Sequence, residues 1–198
     1  MAKKKATPRK KVQVYEFTIS LLNTKPLVWR KVLAHDFIEL EELHFLFQLA
    51  MGWDDQHLYS FDINGKTYSD EETALDANYH AVDGIILRDV LGDSKCFKYD
   101  YDFGDGWEHE VRITDVLEHD FRMNYPICIA GENACPPENC GGYQGFEHLK
   151  QTISGKDSRE KDEMLAWLGG FYSPYTFDPN FVNKLFWTGD ELDPDLPD

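Results

Sequence analysis

The stretch FKYDYDFGDGWEHEVRI, residues Phe97 to Ile113, has the pattern of a β-hairpin. Apolar and polar residues alternate on both sides of a Gly-Asp-Gly turn at 104–106, and a period of two gives each strand one buried face and one exposed face. A three-residue turn pairs Phe103 with Trp107 and keeps one face aromatic, whereas a slip of one residue inverts the faces. We therefore predict this register, with Gly106 in the left-handed conformation.

The predicted register decides which way the side chains of the hairpin point. It pairs Tyr101 with His109, so that His109 joins the aromatic face and points towards the core or a pocket. On the other face acidic residues oppose one another. Like charges directly across a ladder are destabilising, which favours a compensating cation, a basic partner or simply water. The two predicted like-charged pairs are Asp102 with Glu108 and Asp100 with Glu110.

The rest of the chain contains strand and helix patterns that are partly segregated. Apolar residues recur at helical spacing from Glu39 to Met51, and Asn64-Gly65 is a strong hairpin signal after a strand that begins at His57. Residues 69–84 are polar and are predicted to form a loop, and residues 125–145 have almost no periodicity. We predict further strands over 12–22 and 27–33, and helices over 85–91, 145–153, 157–168 and from Pro179 onwards.

These elements predict an α+β fold in a single domain. The chain has 198 residues, of which 42% are hydrophobic and 14% aromatic, which is enough for one large core. We expect a twisted, mostly antiparallel sheet with helices packed on one face. The domain is predicted to span residues 12–187, between a disordered basic arm at residues 1–11 and an acidic tail at residues 188–198.

Charge is distributed unevenly along the chain. The net charge is −16, but residues 1–11 contain six basic residues and no acid, which leaves 14 basic and 36 acidic residues, a balance of −22, in the remainder. Such an acidic body repels phosphate backbones, so contact with nucleic acid is expected only through residues 1–11. No apolar run approaches a membrane span and the N-terminus has no apolar secretory segment, which predicts a cytoplasmic protein without a membrane partner.

Five stretches of the sequence resemble one known family. They are WRKV, GWDDQHLYSF, YDFGDGWEH, CPPENCGG and FDPNFVN, which begin at residues 29, 52, 101, 135 and 177. With these motifs the chain is similar to the plasmid pRiA4b ORF-3-like family over roughly residues 12–187. The resemblance implies an α+β fold and a link to plasmids and to transposable elements, in which similar proteins occur as passengers. It implies no established biochemical activity.

The first candidate site combines two histidines with three carboxylates. His57 is in phase with the apolar residues of its predicted strand, and His109 lies on the aromatic face of the hairpin, so both rings could converge on Asp102, Asp105 and Glu138. Imidazole and carboxylate groups bind divalent metals and carry out acid–base chemistry near neutral pH. The alternative is that each histidine hydrogen-bonds a backbone or tyrosine group in the core, while Asp105 only caps the turn.

The second candidate site consists of the cysteines in the irregular stretch. Cys128, Cys135 and Cys140 are separated by six and four residues, whereas close zinc ligands are more often separated by two to four. A zinc site here would need a fourth ligand, for which His109 is the best choice. The alternative is that the cysteines are small buried thiols in a tight loop, and without an export signal reduced thiols are expected rather than disulfides.

Three functions are compatible with these observations. The first is a non-enzymatic accessory or protein-binding module that engages a basic protein partner through its acidic surface. The second is a metal-dependent hydrolase-type enzyme that uses the candidate histidines and carboxylates with a divalent metal. The third is a DNA-associated protein that binds through the basic residues of the N-terminal arm.

Overall fold

The computed structural model of the protein describes residues 11–188. The predicted basic arm and acidic tail therefore lie outside the described residues, except for Lys11 and Thr188 at their inner ends. Lys11 forms an ion pair with Glu118. Within residues 11–188, no helix is both long enough and apolar enough to cross a membrane.

The described residues form one sheet of eight strands with six helices, which confirms the predicted α+β fold. The strands are β1 Gln13–Leu21, β2 Val28–His35, β3 Tyr59–Ile63, β4 Lys66–Ser69, β5 His80–Ala81, β6 Cys96–Tyr101, β7 Trp107–Glu118 and β8 Ile127–Glu132. The helices are α1 Leu40–Met51, α2 Glu71–Ala77, α3 Leu87–Leu91, α4 Gly142–Ser154, α5 Arg159–Trp167 and α6 Pro179–Thr188. In space the strand order is β5-β4-β3-β6-β7-β1-β2-β8, and every neighbouring pair is antiparallel except β4 with β5.

The core lies between one face of this sheet and helix α1. Alternate residues of β1, among them Phe17 and Ile19, are fully buried, as the period of two predicts. Helix α1 begins with a capping box between Glu39 and Glu42 and ends at Gly52, whose positive φ of 89° forms the left-handed cap that favours glycine. Its apolar stripe includes Phe47, which is fully buried, and each such side chain stabilises the fold by about 2 kcal/mol.

The central hairpin of β6 and β7 differs from the prediction in its register. Tyr101 pairs with Trp107, and Tyr99 pairs with His109, so five residues rather than three connect the strands. Asp102 causes the difference, because its φ of 53° takes the chain out of the ladder directly after Tyr101. The shift is an even number of residues, so the aromatic face is preserved, and Gly106 adopts the predicted left-handed conformation with a φ of 71°.

The register change also corrects the predicted like-charged pairs. Neither predicted pair forms: Asp100 faces Glu108, which is a different like-charged pair, and Lys98 faces Glu110, which is an attractive pair. Burial, and next to it the charge of Glu108, raise the pKa of Asp100 above its ordinary value. Asp102, which the sequence placed opposite Glu108, is free to take part in the turn.

Two segments predicted to lack regular structure contain it. Residues 69–84, predicted as a loop, include helix α2 and strand β5; Asp70 caps α2 by accepting a hydrogen bond from the backbone N–H of Thr73. The helix is short and has few buried residues, so it carries no clear apolar stripe. Residues 125–145 include the edge strand β8, which pairs with β2. Its alternation is invisible because Cys128 is its only buried residue.

Candidate metal centre

Three segments that are distant in sequence meet beyond the end of the central hairpin. His57 lies two residues before β3, Asp102 begins the turn after β6, and Glu138 lies in the loop that leads to α4. Strands β3 and β6 are paired, with Tyr59 opposite Tyr101, so the residues just outside this pair come together. The loop that carries Glu138 is fastened over them, because the indole N–H of Trp53 donates to the carbonyl of Pro136 at 2.8 Å.

The side chains of these three residues converge on one point. His57 Nε2 is 3.5 Å from Asp102 Oδ2 and 3.8 Å from Glu138 Oε2. One ligand atom from each residue lies within 4.8 Å of the other two. Ligands that bind a cation at about 2.1 Å in a tetrahedral arrangement are themselves about 3.4 Å apart. The observed separations therefore require only a small inward movement to hold a divalent ion.

Asp102 is oriented by the turn that it begins. Its Oδ1 accepts hydrogen bonds from the backbone N–H groups of Gly104 at 2.9 Å and Asp105 at 3.1 Å. The residue is 6% exposed, and its positive φ is one that aspartate tolerates better than most residues. Because Oδ1 is used by the turn, Oδ2 remains to face His57.

Glu138 is held in the same way through one of its two oxygens. Its Oε1 accepts from the hydroxyl of Tyr101 at 2.7 Å and from the backbone N–H of Asp54 at 3.1 Å. The Tyr101 hydroxyl in turn accepts from the backbone N–H of Gln56 at 3.1 Å. Burial raises the pKa of the Glu138 carboxyl, while the hydrogen bond from Tyr101 acts in the opposite direction. Oε2 is buried and has no hydrogen-bond partner among the described residues.

His57 completes the group with an unsatisfied nitrogen. Its Nε2 is buried without a hydrogen-bond partner among the described residues, and its ring packs edge-on against Tyr101 with centroids 6.0 Å apart. Buried polar atoms in proteins are almost always paired, so two unpaired atoms that face each other and a carboxylate oxygen need an explanation. A cation would satisfy all three, and two carboxylates with one imidazole form a donor set suited to zinc, manganese or iron(II).

A cavity of about 440 Å³ adjoins this group. His57, Asp102, Phe103, Asp105 and Asn139 are among the residues that line it. The group supplies three ligands, one fewer than a tetrahedral ion takes, and two of the ligand residues, His57 and Asp102, line the cavity. An open position is the feature that separates catalytic metal sites from structural ones, which are closed by four protein ligands.

Asp105, predicted as a member of the site, lies beside the group rather than within it. Its Oδ2 accepts a hydrogen bond from the backbone N–H of Gly141 at 3.1 Å, which ties the turn to the start of α4. The approach is close, because a Cβ at Gly142 would lie 2.7 Å from the Asp105 carbonyl oxygen. Glycine is therefore required at this position. The Asp105 side chain also lines the cavity, where it is available to a bound molecule.

His109, the other predicted histidine, lies in the aromatic core and is not part of the group. It is 1% exposed, its Nδ1 is 3.1 Å from the carbonyl oxygen of Tyr99, and its ring packs edge-on against Trp53 at 5.4 Å. Burial lowers the pKa of His109 to about 4. His109 therefore matches the alternative interpretation, a core histidine bonded to the backbone through Nδ1, and its Nε2 is buried without a hydrogen-bond partner among the described residues.

The three cysteines do not assemble into a ligand cluster within residues 11–188, where the group that meets the distance requirement is the one formed by His57, Asp102 and Glu138. Cys128 lies in β8, and burial raises the pKa of its thiol to about 11 and that of Cys140 to about 12. All four cysteines of the chain are free. A zinc site in this loop remains a prediction from the sequence.

Tyr101 was not identified from the sequence as a functional residue. Its alternation with Tyr99 and Phe97 assigns it to the buried face, and it is fully buried. Its hydroxyl nevertheless reaches the edge of the core and orients Glu138. One indication of this role was available in the sequence. Tyr101 directly precedes the candidate ligand Asp102 at the end of a strand, and a residue in that position lies at the rim of the core.

Comparison with known proteins identifies relatives over most of the chain. The model of the family described as plasmid pRiA4b ORF-3-like protein matches residues 13–184, which confirms the resemblance. A protein of Sinorhizobium fredii, described as uncharacterized protein y4hQ, is 33% identical over 163 residues, covering 79% of this chain and 81% of the relative. The crystal structure of a protein of unknown function, MM3350 from Methanosarcina mazei Go1, superimposes with a TM-score of 0.78 at 29% identity, covering 86% of this chain and 98% of that one.

Proposed function

We propose that this chain, which belongs to the plasmid pRiA4b ORF-3-like family, is a divalent-metal-dependent hydrolase whose metal is held by His57, Asp102 and Glu138. The observation that carries the proposal is the convergence of three ligand atoms, two of which, His57 Nε2 and Glu138 Oε2, are buried and unpaired. Other buried atoms of the described residues also lack a hydrogen-bond partner, but these two face each other across 3.8 Å, with a carboxylate oxygen of Asp102 beside them.

The residues around the site support a catalytic role. A divalent ion held by three ligands supplies a Lewis acid and an activated water. Tyr101 fixes the orientation of Glu138 through its 2.7 Å hydrogen bond, as groups behind metal ligands commonly do. Asp105 lines the same cavity without being a ligand, and we assign it as the general base. Because the cavity is acidic, a neutral ester or amide fits it better than a phosphodiester.

The metal is tested first. Protein purified without a histidine tag is treated with a chelator, dialysed, and titrated separately with zinc, manganese and magnesium, with elemental analysis for stoichiometry. We expect one ion per chain and an affinity at least about 100-fold lower in Asp102→Asn, because the amide removes the charge of a ligand. Asparagine accepts the same turn bonds and tolerates the same positive φ, so the variant should fold.

Asp105→Asn is the matched control for metal binding. It makes the same chemical change as Asp102→Asn at a position three residues further along the chain. The asparagine oxygen can still accept the hydrogen bond from the backbone N–H of Gly141. It should leave metal affinity unchanged within about twofold and lower turnover by about 10²-fold or more if Asp105 is the base. Equal metal affinity in wild type and Asp102→Asn would remove the basis of the proposal.

Hydrolysis is tested separately with chromogenic substrates. Neutral p-nitrophenyl esters and anilides are compared with bis-p-nitrophenyl phosphate, with and without the metal that binds best. We expect metal-dependent turnover of a neutral substrate that is lost in Asp102→Asn. Stoichiometric metal without metal-dependent turnover of any of these substrates would reject the hydrolase and retain a metal-binding centre.

The second candidate is an accessory module that binds a basic protein, linked to plasmids and transposable elements. It is supported by the net charge of −22 on residues 12–198. A pull-down from cells at low and high ionic strength should recover a basic protein in a salt-sensitive manner, and repeated recovery of none would count against the module. DNA association through residues 1–11 predicts a salt-sensitive mobility shift that is abolished by their deletion.

A further inference from the structure

A second cavity lies at the C-terminal end of α1 and has a buried cation in its wall. Its volume is about 720 Å³, within the range of small-molecule sites. It is formed by the C-terminal end of α1, the residues after β8 and the start of α6, and most of its lining is apolar, including Leu49, Met51, Phe177, Phe181 and Val182. Arg30 of strand β2 also lines it.

Arg30 is buried without an anionic partner. It is 2% exposed, and none of the ion pairs within residues 11–188 involves it. Its guanidinium instead lies 3.9 Å from the centre of the Phe177 ring. Burial lowers the pKa of Arg30, as expected for a cation removed from water without a counter-charge. Buried charges in proteins are normally paired, so this one has capacity for an anion.

The hydrogen bonds of Arg30 leave one edge of the guanidinium free. Nε donates to the carbonyl of Ala50 at 2.8 Å, where it caps the end of α1, and Nη1 donates to the carbonyls of Trp29 at 2.8 Å and Glu132 at 3.0 Å. These bonds join β2, β8 and α1. Nη2 has no hydrogen-bond partner among the described residues. It is also not fully buried, so it remains accessible to solvent at the cavity wall.

We propose that this cavity binds a small organic carboxylate with an apolar, preferably aromatic, body. The free edge of Arg30 would pair with the carboxylate, and the apolar lining would cover the body. The cavity offers one uncompensated cation in a strongly acidic protein, which fits a monoanion and not a phosphate dianion. Asp178 also lines the cavity, but its Oδ1 is occupied as the cap of α6, accepting from the backbone N–H of Asn180 at 2.9 Å.

The test uses 4-phenylbutyrate as the ligand, measured by calorimetry or ligand-observed NMR on the full chain after chelator treatment. The neutral isostere 4-phenylbutanamide and inorganic phosphate are the reference compounds. We expect the carboxylate to bind at least about tenfold more tightly than the amide, and phosphate not to compete. Equal affinity for the acid and the amide, or displacement by phosphate alone, would overturn the proposal. The protein in this test is free of metal, and Asp102→Asn should bind 4-phenylbutyrate as well as wild type does. The result therefore does not depend on the metal centre.

Arg30→Met is a poor test, because the carbonyls of Trp29, Ala50 and Glu132 would lose their donor and the fold would suffer. Variants elsewhere in the cavity test the site instead. Phe181→Asp places a negative charge at the mouth and should weaken 4-phenylbutyrate binding by about tenfold or more, while aspartate in the first turn of α6 suits the helix dipole. Asp178→Asn keeps a capping oxygen and should strengthen binding about twofold to fivefold. Phe171→Asp, 81% exposed and outside the cavity, is the control and should change nothing. Unchanged binding in Phe181→Asp would refute this site.

Discussion

His57 and His109 are the two histidines that the sequence places on apolar strand faces, and the structure gives them opposite environments. His109 lies inside β7, between Trp53 and Tyr99, and bonds to a backbone carbonyl. In both rings Nε2 lacks a hydrogen-bond partner among the described residues, but only that of His57, just outside β3, faces two carboxylates. The first ring fills the core, and the second ring is directed at a site.

The difference arises from position along the strand and not from the face of the sheet. Within a ladder, a side chain on the buried face is surrounded by its cross-strand neighbours, as His109 is. Beyond the end of a strand the chain turns, and side chains from several loops can meet without a ladder between them. His57 is one such residue, together with Asp102 and Glu138. In this chain the histidine beyond the end of its strand is therefore the better candidate ligand.

The largest expected effect is that of His109→Ala on stability. Removing a ring that is 1% exposed leaves a cavity among aromatic side chains, and we expect the free energy of unfolding to fall by about 3 to 4 kcal/mol. Metal stoichiometry should remain one per chain. Chemical denaturation followed by tryptophan fluorescence measures the first quantity, and elemental analysis measures the second.

His57→Ala is the counterpart that makes this result informative. In the metal-free protein we expect a loss below about 1 kcal/mol, because the ring is partly exposed and its Nε2 makes no hydrogen bond within the described residues. Metal binding should disappear. If His57→Ala proved the more destabilising variant and His109→Ala the one that loses metal, the assignment of the two rings would be reversed.

The next effect is the dependence of stability on pH. Burial holds the pKa of His109 at about 4 in the folded state, against an ordinary value of 6.5. The unfolded chain takes up a proton as the pH falls below 6.5 and the folded chain does not, so the stability contributed by the neutral ring is present above 6.5 and is lost as the pH falls through 4. The full loss is about 3 kcal/mol.

His109→Gln isolates this contribution, because glutamine does not titrate. The difference in unfolding free energy between wild type and His109→Gln should shrink as the pH is lowered from 7 to 4.5. His148→Gln, at an exposed histidine in α4, is the control and should follow wild type. A difference that is constant over this range would mean that His109 titrates normally in the folded protein.

The sequence predicted the fold and only part of the site, for reasons visible in single residues. Alternation between apolar and polar residues fixed the faces of β6 and β7, because a period of two survives an even shift of register. It could not predict the shift itself, since that depends on Asp102 leaving the ladder and binding the backbone N–H groups of its own turn. No apolar pattern records such a bond.

The convergence of His57, Asp102 and Glu138 was even harder to predict from the sequence. Glu138 reaches the site because its loop is fastened by Trp53 and by Asp54, more than eighty residues away in the chain. Its inclusion among the candidates depended on its residue type and the irregular loop around it. Long-range hydrogen bonds of this kind leave no periodic signal, so spacing alone cannot separate His57 from His109 as the partner of these carboxylates.

A smaller effect is expected for the residue that orients Glu138. Tyr101→Phe removes the 2.7 Å hydrogen bond to Glu138 Oε1, and we expect metal affinity to fall about 10- to 100-fold. Tyr143→Phe is a matched control, because the Tyr143 hydroxyl also accepts from a backbone N–H, that of Glu108 at 3.0 Å, without touching Glu138. Calorimetric titration compares the two. Equal losses in both variants would assign Tyr101 a general structural role.

The smallest expected effect is a gain of stability in the metal-free protein. Glu138→Gln keeps an oxygen for Tyr101 and Asp54 but removes a half-buried negative charge within 4.8 Å of an oxygen of Asp102, so the free energy of unfolding should rise by about 1 kcal/mol or less at pH 7. Burial raises the folded-state pKa of Glu138, so this gain should fade as the pH falls through that raised value towards 4.5, where protonation removes the same charge. Glu72→Gln, at an exposed position in the first turn of α2, should show no comparable trend. A metal-free Glu138→Gln variant that is clearly less stable than wild type would show that the carboxylate stabilises the fold. Glu138 would then resemble His109, which serves the core, and not His57, which serves the candidate site.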